Sequence, residues 1–205
     1  MGTSYETILV AAGFAAVVEA VTAGGLPAVV IPIVEDRVAV LPHTDRYGVA
    51  EVRPIAVAVS ERLRCPVLTS MVFDSDVITC WVYHDGRPTH RYVSDLAMII
   101  EPFEDDDGVF RSQLDGRVIP DGEPLPSGPL GADPTAFTPF AVGAPDLDRI
   151  VAALLGSRDR DGHVWAEWQH QAIIESLGLP PAALAEGYGG FSPRQFPDAV
   201  DVPAR

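Results

Sequence analysis

Alternating apolar and polar positions are clearest between residues 66 and 95, and they predict a three-stranded antiparallel meander. Its middle strand spans residues 77–83. Turn residues precede it at Asp74-Ser75-Asp76 and follow it at His84-Asp85-Gly86. A tight hairpin turn needs positive φ, which glycine adopts without a Cβ clash, so Asp85-Gly86 is a strong hairpin signal.

A two-residue turn at Asp85-Gly86 pairs Trp81 with His90, and side chains alternate between the two faces of a strand. One face is therefore predicted to carry four aromatic or imidazole side chains, Trp81, Tyr83, His90 and Tyr92. Two interpretations stay open for this face. It packs into the core as cross-strand aromatic pairs, or it binds a partner, since these side chains combine contact area with polar tips.

Periodicity before the meander predicts a strand at 7–11, a helix at 14–23, a hairpin at 28–41 and a helix at 54–64. With the first meander strand, the order is β-α-β-β-α-β, the ferredoxin-like arrangement. The predicted fold class is therefore α+β: a ferredoxin-like core in residues 1–100, extended by the antiparallel meander.

The rest of the chain divides into three parts. Residues 101–144 are rich in Pro, Gly and Asp and predict a long, partly disordered loop. Residues 145–186 contain two predicted helices, at 146–155 and 163–177, which we expect to pack on the same domain. Asp146 is the predicted N-cap of the first helix, and Gly156 its end. Residues 187–205 predict an extended or mobile tail.

Charge and composition exclude some classes of function. The chain has 205 residues and a net charge of −15, which disfavours nucleic-acid binding and favours a basic protein partner, if any. The apolar run at 8–18 is too short to span a bilayer, and no export signal is visible. Two isolated cysteines, Cys65 and Cys80, suit a reducing cytoplasm. The absence of Lys and Asn indicates a GC-rich bacterial genome.

One helix carries a candidate metal site. His163, Glu167 and His170 share a helix face at positions i, i+4 and i+7, a pattern that suits a divalent transition metal. Further ligands would have to come from elsewhere, with His84 and His90 as candidates. The alternative is an amphipathic helix that packs Trp165 and Trp168 and turns its polar side chains to water.

No nucleophile motif accompanies these residues: the chain contains no G-x-S-x-G, and neither cysteine has a local catalytic signature. We therefore expect a non-catalytic protein-binding or regulatory module without a cofactor, comparable to small acidic inhibitor or immunity proteins. The alternative is a metal-dependent hydrolase or oxidoreductase that uses the His/Glu/His helix face.

Overall fold

A computed structural model describes residues 2–45, 50–156 and 165–204. The four α-helices of these ranges are α1 (Phe14–Gly24), α2 (Val52–Leu63), α3 (Leu147–Leu155) and α4 (Ala166–Ser176). The strands are β1 (Tyr5–Val10), β2 (Ala28–Val34), β3 (Arg37–Pro42), β4 (Val67–Phe73), β5 (Val77–His84), β6 (Arg87–Val93), β7 (Glu101–Glu104), β8 (Phe110–Leu114), β9 (Arg117–Ile119) and β10 (Val200–Val202). Short 3-10 helices lie at Leu96–Ile99, Pro134–Ala136, Thr138–Phe140, Pro181–Ala183 and Tyr188–Gly190.

The main sheet has seven strands in the order β10-β2-β3-β1-β4-β5-β6, and each neighbouring pair is antiparallel. Its central strands are apolar on both faces, so each face needs a covering layer. Helices α1 and α2 cover one face, and α3 and α4 cover the other. The predicted α+β class is confirmed.

Each covering layer has its own core. On the α1/α2 side, Ile8 and Val10 of β1 pack with Val17, Val21, Ile55 and Val59. On the α3/α4 side, Leu9 of the same strand packs with Leu68, Ile78, Ile150, Leu154 and Ile173. Because successive β1 side chains point to opposite faces, a single strand supplies both cores.

The predicted hairpin turn and helix cap are both present in the structure. Asp85 and Gly86 have φ of 50° and 72°, which closes the β5–β6 hairpin. The Asp146 carboxylate accepts the Arg149 N–H at 3.1 Å and caps α3, which ends before Gly156. Of the predicted helix at 163–177, the structure describes Ala166–Ser176 as α-helix. His163 lies outside the described residues.

The second half of the chain contains four strands that the sequence analysis does not predict, β7, β8, β9 and β10. Residues 101–144 are not one loop, because β7, β8 and β9 form a separate three-stranded sheet. The Asp115-Gly116 pair, with φ of 52° and 74°, turns β8 into β9 and is the same hairpin signal as Asp85-Gly86. The tail, predicted to be extended or mobile, contributes β10, which pairs with β2 and forms an edge of the main sheet.

Candidate functional site

The predicted aromatic face is divided between the two sides of the sheet. Tyr83 pairs with Pro88, but Val82 pairs with His90, so Thr89 is an extra residue on β6. Trp81 is therefore opposite Arg91 rather than His90, and the predicted register is wrong beyond the bulge. A one-residue shift exchanges the faces of all following side chains, and His90 and Tyr92 consequently lie on the α3/α4 side.

Both displaced side chains have structural partners. The Tyr92 ring is fully buried, and its hydroxyl donates to the Leu154 carbonyl at 2.6 Å. Gln169 Nε2 in turn donates to Tyr92 Oη at 2.8 Å. His90 Nε2 lies 2.7 Å from the Gly131 carbonyl oxygen. These contacts connect β6 to α3, α4 and the segment after β9, so they hold the second layer on the sheet.

Trp81 and Tyr83 lie on the predicted face, in a part of the sheet that α2 does not cover. Trp81 is half-buried and lies under the Arg91 guanidinium, whose carbon is 5.2 Å from the ring centroid. On the neighbouring strand Met71 is 37% exposed and Phe73 is 57% exposed. Part of the predicted aromatic face is therefore open to solvent.

Glu167 and His170, from the predicted metal site, turn toward the sheet and not toward water. His170 is fully buried, with Nδ1 2.9 Å from Tyr5 Oη. The Ser75 hydroxyl donates to Glu167 Oε1 at 3.1 Å, and the Ser75 carbonyl accepts the Ala166 N–H at 2.9 Å. The β4–β5 turn thus fixes the first turn of α4.

The electrostatics of this cluster follow from burial. Desolvation lowers the pKa of His170 to about 4, so the imidazole is neutral at pH 7. Burial raises the pKa of Tyr5 well above its usual range, and the Glu167 carboxylate raises it further. Glu167 Oε2 and His170 Nε2 have no hydrogen-bond partner among the described residues.

The structure describes two of the three predicted metal ligands, Glu167 and His170. Within residues 2–45, 50–156 and 165–204, no three His, Cys, Asp or Glu side chains are grouped so that they could hold a metal ion. The metal site therefore stays a prediction.

The tryptophans at the start of α4, Trp165 at the N-cap and Trp168 in the helix, reverse the predicted amphipathic pattern. Trp168 is 64% exposed and Trp165 is 38% exposed, while Gln169 and His170 are buried. Polar side chains can be buried when they find hydrogen bonds. Here Tyr92, Tyr5 and two carbonyl groups of α3 supply them.

The cysteines have the surroundings of structural thiols. Both are free and buried. Desolvation raises the pKa of Cys65 to about 11 and that of Cys80 to about 12. Since the thiolate is the nucleophile, neither side chain is activated at neutral pH.

The most unusual surface is the small sheet with its adjoining turns, residues 101–123, which we name the acidic arm. It carries two arginines against eight carboxylates: Glu101, Glu104, Asp105, Asp106, Asp107, Asp115, Asp121 and Glu123. Arg111 is neutralised within the arm by ion pairs with Asp105 and Asp121. Asp115 pairs with Arg91 at 2.6 Å, which ties the β8–β9 turn to the main sheet.

The acidic arm contains no buried residue in any of its three strands. Phe110 is 75% exposed, and Val118 and Val109 are 49% and 46% exposed. Phe110 pairs with Glu104 across β7 and β8, which places an apolar ring beside a carboxylate. An isolated small sheet without a core is marginally stable in water, and the Arg91–Asp115 ion pair ties this one to the main sheet.

Comparison of the chain with protein-family models, curated protein sequences and solved structures gave no significant match. In the described ranges, every helix is too short or too polar to cross a membrane.

Proposed function

We propose that this chain is a non-catalytic protein-binding module whose acidic arm receives a basic protein partner. The observation that carries the proposal is an arm whose three strands contain no buried residue and which, with its turns, combines eight carboxylates with an exposed phenylalanine. A solvated acidic surface needs the carboxylates only. Exposed aromatic and branched side chains within such a surface favour a contact interface.

The two kinds of side chain have different roles in the proposed interface. Carboxylates accelerate the encounter with a basic surface and select against acidic partners, but they add modest affinity once solvated. Phe110, Val109 and Val118 contribute apolar area that becomes buried on contact. A basic protein with an apolar patch at its active surface fits both features, and the chain would then act by covering that surface, as acidic inhibitor and immunity proteins do.

The test uses fluorescence anisotropy with three labelled peptides of equal length: alternating Arg/Leu, alternating Arg/Ser and alternating Glu/Leu. We expect the Arg/Leu peptide to bind most tightly and the Glu/Leu peptide not to bind. Binding of both basic peptides should weaken when salt rises from about 50 to 300 mM. Equal binding of the Arg/Leu and Arg/Ser peptides would contradict a role for the apolar side chains.

Variants locate the interface. Phe110→Ser should reduce binding of the Arg/Leu peptide and leave the Arg/Ser peptide unchanged. The double variant Asp106→Asn with Asp107→Asn should weaken both basic peptides by about three- to tenfold, as expected for loss of two exposed charges. The matched control, Glu35→Gln with Asp198→Asn, removes two exposed carboxylates outside the arm. If the control weakens binding equally, net charge and not the arm is responsible.

We also propose that β1-α1-β2-β3-α2-β4 is a ferredoxin-like core. The strand order β2-β3-β1-β4, the antiparallel pairing and the position of α1 and α2 on one face support it. Strands β5 and β6 then extend this core on one edge and β10 on the other. An experimental structure with any of these four strands in another order would refute this assignment.

A further inference from the structure

A cleft of about 270 Å³ lies on the open part of the sheet, beside the first turn of α2. The residues that line it and matter for its chemistry are Arg53, Met71, Trp81 and Tyr83. Met71 and Trp81 form an apolar wall, and Arg53 lies at the rim. A concave, mostly apolar site with a few convergent polar groups is the usual form of a small-molecule site.

Tyr83 is a further polar side chain of the cleft, and its hydroxyl oxygen is not among the buried polar atoms that lack a partner, so it is open to the cleft. The side chain is buried, with 4% exposure, and lines the cleft. Among the described residues, none forms a hydrogen bond with this hydroxyl. Burial raises the pKa of Tyr83, whereas the nearby positive charge of Arg53 lowers it. The phenol is therefore a neutral donor next to a guanidinium.

The position of Arg53 favours an anionic ligand. Arg53 is the second residue of α2, whose N-cap Glu51 makes no side-chain cap hydrogen bond. The positive end of the helix dipole thus adds to the Arg53 charge. Arg91 also lies over the Trp81 ring, but its Nη1 is ion-paired with Asp115 at 2.6 Å, so Arg53 and the helix dipole set the charge preference of the cleft. The cleft thus combines one arginine and the positive end of a helix dipole with an aromatic ring, on a chain of net charge −15.

We infer that this cleft binds a small carboxylate with an apolar or aromatic tail. The carboxylate accepts hydrogen bonds from the Arg53 guanidinium and the Tyr83 hydroxyl, and the tail packs on Trp81 and Met71. Charge-assisted hydrogen bonds of this kind are roughly twice as strong as neutral ones. The tail removes apolar surface of Trp81 and Met71 from water.

The experiment is an NMR titration of the whole chain with 4-phenylbutyrate, read at the indole N–H signals of its three tryptophans. The probes 4-phenylbutylamine and 4-phenylbutanol keep the tail and change only the head group. We expect 4-phenylbutyrate to shift the Trp81 signal with a Kd below about 1 mM. The signals of Trp165 and Trp168 should not move and serve as internal controls.

Variants test the two hydrogen-bond donors. Arg53→Gln should weaken binding at least about fivefold and Tyr83→Phe about threefold, because each removes one donor to the carboxylate. Arg194→Gln, at another exposed arginine, is the matched control and should have no effect. The inference is overturned if 4-phenylbutanol or 4-phenylbutylamine binds as well as the acid. It is also overturned if Trp81 shows no shift up to about 10 mM. Phe110→Ser changes the acidic arm and not this cleft. Loss of the carboxylate site and loss of the proposed protein interface can therefore be distinguished.

Discussion

Acidification should destabilise this protein through His170. The imidazole is fully buried between α4 and the sheet, where Tyr5 Oη contacts Nδ1 and Glu167 lies one turn away on the same helix. Burial without a charged partner in contact lowers the pKa of His170 to about 4. An unfolded chain would bind a proton at this histidine near its ordinary pKa of about 6.5.

The sign and size follow from proton linkage. Between roughly pH 6.5 and 4 the unfolded state binds more protons at this site than the folded state, so the free energy of unfolding falls as the pH falls. With a folded pKa of about 4, the loss from this group is about 2 kcal/mol at pH 5 and about 3 kcal/mol at pH 4. Above about pH 7 the contribution is nearly constant.

Urea denaturation at several pH values, followed by tryptophan fluorescence, measures this effect. Carboxylates also titrate in this range, so the informative quantity is the difference between the native chain and His170→Gln, which keeps an acceptor for Tyr5. We expect the variant to be less stable at pH 7 and its deficit to shrink by about 2 kcal/mol at pH 5. A deficit that stays constant within about 0.5 kcal/mol would refute the argument.

Three further predictions concern the supporting structure. Tyr92→Phe should cost about 1–3 kcal/mol in urea denaturation, because the Leu154 carbonyl and Gln169 amide lose a buried partner; an unchanged midpoint would contradict this. Deleting Thr89 should cost less than about 3 kcal/mol, since the ladder becomes regular while His90 stays opposite Val82 and Arg91 stays opposite Trp81; loss of the folded state would refute the assignment of Thr89 as the extra residue. Iodoacetamide at about pH 8 should modify Cys65 and Cys80 only in denaturant, since both thiols are buried with raised pKa values; mass spectrometry would reveal labelling of the folded chain.

The outcome for the predicted site residues shows why an aromatic face is difficult to place from a pattern. A period of two locates β5 and β6 whether or not an extra residue interrupts one strand. Thr89 donates its hydroxyl to the Val82 carbonyl at 3.2 Å within the bulge, and nothing in the local sequence distinguishes it from a regular strand residue. His90 and Tyr92 therefore changed sides, while Trp81 and Tyr83 did not.

Helix α4 was ambiguous for a different reason. Its sequence offers an aromatic side and a polar side, and hydrophobicity alone predicts that the aromatic side is buried. The structure buries Gln169 and His170 because β1, β6 and α3 present hydrogen-bond partners at the matching positions. Such partners come from residues 77 and 165 positions away in the chain, for Tyr92 and Tyr5 respectively, and no local pattern contains them.

The sequence by itself determined the elements whose causes are local: strands with period-two apolar residues, the positive-φ turn at Asp85-Gly86 and the Asp146 cap of α3. The β8–β9 turn at Asp115-Gly116 is also a local signal. The Pro, Gly and Asp content of residues 101–144 nevertheless predicts a loop there. Tertiary structure decided which side of each element is buried, where β10 joins the sheet and which part of the sheet stays open beside α2. Turns and caps depend on residues a few positions apart, whereas burial depends on surfaces that meet only in the folded chain.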